Sequence, residues 1–249
     1  MSLKQAKLSD VIQEKLEAMI IEGSLEAGQK LPPERELAAQ FEVSRPSLRE
    51  AIQKLEAKGL VTRKQGGGTF VANNILSGLS DPLFDLMSKN PESQFDLLEF
   101  RHGIEGMAAY YAAMRGTKAD FELIEKKHLA IGDAQIENDY RAEATAVFEF
   151  YSAICAASHN AIILQMAKSM APLLIDNIAK NLTILSKRPD TFERIADYRK
   201  RLLEAIVSGQ PQKAWGASHR HLAFIEEVLL KLTQEQSRME RSMRRMQRY

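Results

Sequence analysis

The segment from Val43 to Leu60, VSRPSLREAIQKLEAKGL, decides the fold prediction for the N-terminal part of this 249-residue chain. Ser44 is a favourable helix N-cap, Pro46 falls in the first turn where proline is well tolerated, and Gly59 is a common helix stop. Three apolar residues between these signals recur at the helical period: Leu48, Ile52 and Leu55. The segment therefore predicts a helix with one buried face.

Two more helices are predicted before this one. Residues 9–22 place apolar side chains at helical spacing. Ser9 or Asp10 is the expected cap of this first helix, and Gly23 is its expected stop. A short second helix is predicted from Pro32 to about Gln40, and only a tight connector separates it from the third helix. Two helices joined by so short a turn predict a helix-turn-helix.

After this pair the sequence predicts a hairpin. Residues 60–63 and 69–71 suit short strands, and the glycine-rich run 64–68, KQGGG, suits the turn between them. A helix-turn-helix followed by such a hairpin is a winged helix-turn-helix.

The outward end of the third helix carries residue types that bind DNA. Arg45 and Arg49 can each bind guanine in bidentate fashion in the major groove. Arg35 suits a phosphate, as do the hydroxyls of Ser44 and Ser47. Glycines at the tip of the wing would let its backbone approach the minor groove. The alternative is that the arginines only balance nearby glutamates on a solvated face and that the glycines form a flexible turn.

Overall charge does not decide between these two interpretations. The chain has 34 Lys+Arg against 33 Asp+Glu, and counting residues 1–74 gives 11 basic against 10 acidic residues. A prediction of DNA binding must therefore rest on where individual residues lie.

Four runs of this region, LPPERELA at 31–38, VSRPSLREAI at 43–52, LEAKGLV at 55–61 and QGGGTFV at 65–71, resemble the GntR family of bacterial regulators. The resemblance implies a dimer that binds an inverted-repeat operator in double-stranded DNA. The residues that it assigns to operator contacts are Arg35, Ser44, Arg45, Ser47, Arg49, Gln65, Gly66 and Gly67.

Length and composition predict two folded units in a soluble, cytoplasmic protein. A chain of 249 residues with 45% hydrophobic content can bury two cores. The single cysteine, Cys155, cannot form an intrachain disulfide, which is typical of a reducing compartment. No run is long enough to cross a bilayer, and the first residues lack the apolar core of a secretory signal. The predicted parts are a winged helix-turn-helix domain at 1–74, a linker at 75–92, a helical effector-binding domain at 93–232 and a basic tail at 233–249.

The second domain is predicted to be an antiparallel all-helical bundle, so the fold class is mainly α. Its sequence shows helical periodicity and no strand signal. Six helices are predicted, separated by Gly, Pro, Asn or short polar segments: 95–114, 117–137, 141–158, 161–187, 191–208 and 211–234. The basic tail that follows is predicted to fray and to be solvated.

The interior of a bundle is a usual place for a small-ligand pocket, and a bound acid needs a cation there. Arg101 lies in LEFRHGIE, residues 98–105, which is similar to the segment of FadR-type effector domains in this family whose arginine grips a carboxylate. The alternative is an exposed Arg101 paired with Glu99 or Glu105.

Many FadR-type effector domains hold a metal with an Asp, a His one turn later on the same helix and two further His. Here the first two positions are Val147 and Tyr151. The segment expected to supply the third ligand is DYR at 197–199, and only His221 remains, which provides no zinc site. We therefore expect no tightly bound divalent metal and no cofactor. The polar pocket that we predict instead comprises Arg101, Tyr151, His159, Asn160 and His221. Each histidine has the alternative of an ordinary hydrogen-bonded side chain, and Asn160 that of a helix start.

Further runs, KLSDVI at 7–12, PESQFDLLE at 91–99 and ASHRHLAFIEE at 217–227, extend the resemblance to a FadR-type member over the whole chain. This closer likeness implies a repressor of the pyruvate dehydrogenase operon that pyruvate releases from DNA. The alternative is a regulator that responds to another small carboxylate, such as lactate or a sugar acid. An enzyme is not expected, because no nucleophile–base pair, phosphate loop or multi-ligand metal spacing is visible.

Overall fold

The computed structural model describes residues 7–64, 66–72, 93–136, 139–188 and 190–246. The chain forms two compact units, residues 1–79 and 80–249, and each is described by itself. The linker predicted at 75–92 lies outside the described residues.

The first unit is a winged helix-turn-helix, as predicted. Its elements are α1 (Leu8–Ile21), α2 (Glu34–Gln40), α3 (Arg45–Ala57), β1 (Val61–Lys64) and β2 (Gly68–Val71). The strands pair antiparallel, with Val61 opposite Val71 and Lys64 opposite Gly68. The main buried side chains come from every element: Ile12, Leu16, Ile20, Leu37, Leu48, Ile52, Leu55, Val61 and Val71.

The ends of α3 lie where the sequence predicts them. Ser44 caps the helix, its side chain accepting a hydrogen bond from the Ser47 backbone N–H at 3.3 Å. Gly59 follows the helix with φ of 72°, in the left-handed region that favours glycine. A local signal at each end therefore sets the length of this helix.

The expected cap of α1 is wrong. Lys7 occupies the N-cap position and makes no side-chain cap. Ser9 and Asp10 instead accept hydrogen bonds from the Lys54 ammonium at 3.0 and 2.6 Å. Because both side chains face α3, tertiary pairing takes the groups that could have capped α1.

The second unit is helical throughout its described part. Its helices are α4 (Ser93–Arg115), α5 (Lys118–Ile136), α6 (Tyr140–Ala157), α7 (Ala161–Ser169), α8 (Ala171–Leu185), α9 (Asp190–Val207) and α10 (Pro211–Met246). Helix α6 packs against α4, α5, α7 and α8, and α10 packs along α4 and α9. Arg101, on α4, thus lies in the interior of this unit, where residues of α6, α8, α9 and α10 surround it.

The single helix predicted for 161–187 is two helices, α7 and α8, which meet at a bend of 65°. Pro172 lies in the first turn of α8. Proline has no N–H and its ring clashes with the carbonyl four residues earlier, so one helix cannot continue through this point.

The prediction of a frayed tail from residue 233 is also wrong, because α10 continues to Met246. Residues 233–246 contain neither Gly nor Pro. Near the start of this stretch Glu235 pairs with Arg188 at 2.7 Å and Gln236 accepts a hydrogen bond from Lys187 at 3.5 Å.

Among the described residues no single helix is long and apolar enough to span a membrane, and only the bent pair of α7 and α8, taken together, passes that test.

Candidate DNA-binding surface and ligand cavity

The first candidate site is the outward end of α3. Ser44, Arg45 and Arg49 are exposed there, and Ser47 is half-buried. The hydroxyls of Ser44 and Ser47 lie 2.8 Å apart and hydrogen-bond each other in the free chain. Arg35, near the start of α2, is also exposed. These side chains are open to a ligand that approaches this end of the helix.

Arg49 is partly engaged in the free chain. Its Nε and Nη2 donate to one oxygen of Glu34 at 3.1 and 2.9 Å. The Arg49 side chain is 56% exposed, so solvent weakens this ion pair. The alternative in which the arginines balance nearby glutamates therefore holds for Arg49 in the free chain. The ion pair is weak enough for a guanine or a phosphate to replace Glu34.

Glycine is required at the tip of the wing. Gly66 and Gly68 have φ of 71° and 102°. A Cβ built on Gly67 would lie 3.1 Å from the Lys64 Cβ. Gln65, the other predicted contact of the wing, lies outside the described residues.

The second candidate site is inside the helical unit. Arg101 of α4, Tyr151 of α6 and His221 of α10 are 3%, 5% and 1% exposed. The Arg101 guanidinium lies over the Tyr151 ring, 5.5 Å from its centroid. The Tyr151 hydroxyl and His221 Nδ1 are 3.0 Å apart and share a hydrogen bond. Three of the five residues predicted for the effector pocket are thus brought together.

The other two predicted pocket residues lie elsewhere, which corrects the prediction. The His159 side chain is 49% exposed and pairs with Asp120 at 3.0 Å. Asn160 caps α7, its Oδ1 accepting from the backbone N–H of Ile162 at 3.1 Å and of Ile163 at 3.2 Å. Both residues belong to the turn between α6 and α7, where His159 pairs at the surface and Asn160 caps α7, so neither side chain lines the two cavities.

Arg101 is buried and ion-paired. Its Nε donates to Glu105 Oε1, one turn later on α4, at 2.5 Å. The alternative of an exposed Arg101 paired with Glu105 is therefore right about the partner and wrong about the exposure. Burial raises the pKa of Glu105, although the neighbouring guanidinium acts in the opposite direction.

Two small cavities meet at Arg101 and Ile178. One is lined in part by Glu105, Tyr151 and Cys155, and the other in part by Asn181, Arg199 and His221. In each the free volume is about 20 Å³, room for about one water molecule. Neither cavity, in the arrangement described, has room for a three-carbon acid.

Sequence reasoning missed Asn181 as a pocket residue and considered Arg199 only as part of a metal motif. Both interrupt apolar stripes. Arg199 lies between Ile195 and Leu202 on the buried face of α9, and Asn181 lies one turn from Asn177 on that of α8. A charged or amide residue on the apolar face of a helix is the signal that could have identified them.

Several buried polar atoms in this region have no hydrogen-bond partner among the described residues: Glu105 Oε2, Asn181 Oδ1, Arg199 Nε, Ser218 Oγ and His221 Nε2. Each such atom costs about 1–3 kcal/mol of lost hydration. A ligand that bonds several of them recovers part of this energy.

Burial also determines the protonation of the site. It lowers the pKa of His221 well below its usual value, so the ring is neutral, and it raises the pKa of Tyr151, so the phenol keeps its proton. Burial also lowers the pKa of Arg199. The Cys155 thiol, with its pKa raised to about 12 by burial, is not a reactive thiolate.

The residues at the family's metal positions do not fit a divalent cation. Val147 has no donor atom, and Arg199 is itself a cation lining the same cavity as His221. Tyr151 is occupied by its bond to His221. Within the described ranges no group of three or more His, Cys, Asp or Glu is arranged to hold a metal.

A winged helix-turn-helix with exposed arginines at the outward end of α3 is the architecture of a DNA-binding regulator. Residues 8–71 match the model of the gntR family of bacterial regulatory proteins, and residues 96–224 match that of the FCD domain. The chain belongs to the GntR family and carries an FCD domain.

Two relatives extend this match over nearly the whole chain. A candidate regulatory protein of the L-lactate dehydrogenase operon of Escherichia coli K12 is 34% identical over 240 residues, covering 93% of this chain and 90% of that protein. The Glc operon transcriptional activator of the same organism is 32% identical over 225 residues, 89% of each chain. These names do not single out the pyruvate dehydrogenase regulator that the sequence resemblance implied.

The fold is also found in a solved structure. A GntR protein of Streptococcus agalactiae superposes with a TM-score of 0.52 at 23% identity, covering 88% of this chain and 99% of that one.

Proposed function

We propose that this GntR regulator binds an inverted-repeat operator as a homodimer, and that a small carboxylate of the lactate class, bound in the helical unit, changes its affinity for that operator. The observation that carries the proposal is the buried group of Arg101, Tyr151 and His221, which lies at two small cavities that share Arg101. A buried cation beside unpaired polar atoms is suited to an organic anion. Because the target is DNA, the proposal includes a cytoplasmic location.

The DNA half of the proposal rests on the end of α3. Arg45 is exposed beside Pro46, and Arg49 is held only by a solvent-exposed ion pair with Glu34. Side chains at the N-terminal end of a recognition helix reach base edges in the major groove. The predicted contacts at Arg35, Ser44, Ser47 and the wing glycines complete this surface.

Two acids are candidates for the effector. The names of the relatives favour lactate, whereas the resemblance of the whole chain to the pyruvate dehydrogenase complex repressor favours pyruvate. Both acids carry one carboxylate on three carbons, so the cation alone does not separate them. We place lactate first, because a relative covering nine tenths of both chains is assigned to an L-lactate operon.

Regulation follows from the tightness of the cavity. Since the free volume is far smaller than the acid, binding favours an arrangement of α4, α6, α8, α9 and α10 that differs from the empty one. The ligand can change the free energy of operator binding by no more than the difference between its own binding free energies to the two arrangements. For a 100-fold change this preference is about 2.7 kcal/mol.

The test is fluorescence anisotropy of a labelled inverted-repeat DNA, selected from a randomised pool by the purified protein. The complex is titrated with L-lactate, pyruvate and acetate at fixed salt. We expect L-lactate to shift the operator affinity more than acetate does. Arg101→Gln should abolish the response, and Arg201→Gln, which removes an exposed arginine paired with Asp197, should retain it.

Each half of the proposal can fail separately. An R101Q protein that responds as the wild type does would remove Arg101 from the effector site. The absence of binding to any selected DNA, even at low salt, would refute the operator half.

A further inference from the structure

Three buried residues that line the cavity shared by Arg101 and Arg199 each have a polar atom without a partner among the described residues. The atoms are Arg199 Nε from α9, His221 Nε2 from α10 and Asn181 Oδ1 from α8. The three residues are 4%, 1% and 3% exposed. Residues with unpaired polar atoms, from three different helices, therefore line one small buried cavity.

Two of these atoms are hydrogen-bond donors. Arg199 Nε carries a hydrogen at any ordinary pH. The Tyr151 phenol keeps its proton, and its hydrogen bond in the described structure goes to His221 Nδ1. The phenol therefore donates and Nδ1 accepts, which leaves the hydrogen of the neutral imidazole on Nε2.

The third atom is an acceptor. Asn181 Nδ2 donates to Asn177 Oδ1 at 3.1 Å, so the Asn181 Oδ1 is the part of the amide left unpaired. An acceptor in this place is satisfied only by a ligand that has a hydrogen to donate.

The two arginines of the site differ in charge balance. Arg101 is ion-paired with Glu105 on its own helix. Arg199 forms no ion pair within the described part of the chain, and the buried Glu143, which attracts it at longer range, accepts a hydrogen bond from Gln135 at 2.7 Å. Arg199 is therefore the less neutralised cation and the stronger attraction for an anion.

We infer that Arg199, His221 and Asn181 select a 2-hydroxy acid over a 2-oxo acid: Arg199 Nε and His221 Nε2 donate to the carboxylate, and Asn181 Oδ1 accepts from the hydroxyl. The inference rests on the function proposed above and names the ligand class of that site. A 2-oxo acid has no hydrogen to donate, so it leaves Asn181 Oδ1 unpaired.

The inference is tested by isothermal titration calorimetry of the full-length protein with L-lactate, pyruvate and propionate. We expect L-lactate to bind about tenfold more tightly than pyruvate, because only L-lactate satisfies the acceptor that is unpaired in the empty site. Propionate, which has no oxygen at C2, should bind no better than pyruvate.

Two variants separate the roles. In Asn181→Leu the acceptor is removed, so affinity for L-lactate should fall about tenfold, affinity for pyruvate should not fall, and the preference should disappear. In Arg199→Gln both acids should lose at least tenfold in affinity. The melting temperature of unliganded R199Q should not fall, because burial of the unpaired cation disfavours the folded state. The matched control is R201Q, which removes the exposed arginine two residues later on α9.

The outcomes are distinguishable. Pyruvate binding as tightly as L-lactate to the wild type would overturn the inference and leave the proposed acid effector intact. R199Q binding both acids like the wild type would overturn the anion assignment. Binding of none of the acids would overturn both proposals. The preference of the wild type and of N181L remains a test even if R199Q does not fold.

Discussion

Replacing Tyr151 by phenylalanine removes one oxygen atom from the interior of the helical unit. Its hydroxyl makes the 3.0 Å bond to His221 Nδ1, and Nε2 of the same ring already has no partner among the described residues. In Y151F neither ring nitrogen of His221, which is 1% exposed, has a hydrogen-bond partner among the described residues. An unsatisfied buried group costs about 1–3 kcal/mol, so we expect the unit to lose that much stability.

Tryptophan fluorescence measures this loss in the right part of the molecule. Trp215 is the only tryptophan of the chain, and it lies on α10 with its ring stacked on His219 at 5.8 Å. Its emission therefore reports unfolding of the helical unit and not of the winged unit. For a unit of this size a loss of 1–3 kcal/mol lowers the melting temperature by about 2–12 °C.

The control is Tyr110→Phe, a half-buried tyrosine on α4 in edge contact with Tyr111. We expect the free energy of unfolding of Y110F to lie within about 0.5 kcal/mol of the wild-type value, as it does for most substitutions away from buried networks. If Y151F has the same melting temperature as Y110F, the Tyr151 phenol does not donate a stabilising hydrogen bond to His221 in the folded chain. The donor assignment used for the ligand site would then be lost as well.

Three further outcomes are expected. The helical unit should lose stability as pH falls below about 6.5, because burial lowers the pKa of His221 in the folded state only. The loss should reach up to about 1.4 kcal/mol per pH unit. Urea titrations at a series of pH values should show a smaller dependence of stability on pH for H221Q. Gly66→Ala, at φ of 71°, should cost about 1–2 kcal/mol and weaken operator binding, whereas Gly103→Ala inside α4, where a Cβ meets nothing within 4 Å, should be neutral or stabilising in thermal melts. Arg45→Ala should weaken specific operator binding by about 1–3 kcal/mol in anisotropy titrations and non-specific DNA binding by less, and Lys58→Ala, beyond the other end of α3, should leave the specificity ratio unchanged.

The winged unit was the more predictable of the two because its signals are local. Ser44, Pro46 and Gly59 act on backbone groups within a few residues of themselves, so the bounds of α3 follow from the sequence around it. The cap of α1 failed for the opposite reason: Lys54, more than forty residues away, binds Ser9 and Asp10.

The helical unit was predictable as a set of helices but less so as a site. Hydrophobic periodicity located its helices, and Arg101 was found by resemblance. The predicted pocket also included His159, which the turn after α6 places at the surface. Periodicity shows which face of a helix is buried, but not which helices share a cavity.

The sequence by itself determined the winged helix-turn-helix, the helical class of the second unit and the family, because caps, glycine turns and apolar stripes act over a few residues. Tertiary structure decided the composition of the cavity. Arg199, Asn181 and His221 come from α9, α8 and α10, and only the packing of these helices brings the three residues to one cavity. The energy of a buried charge depends on its neighbours in space, which the order of residues along the chain does not specify.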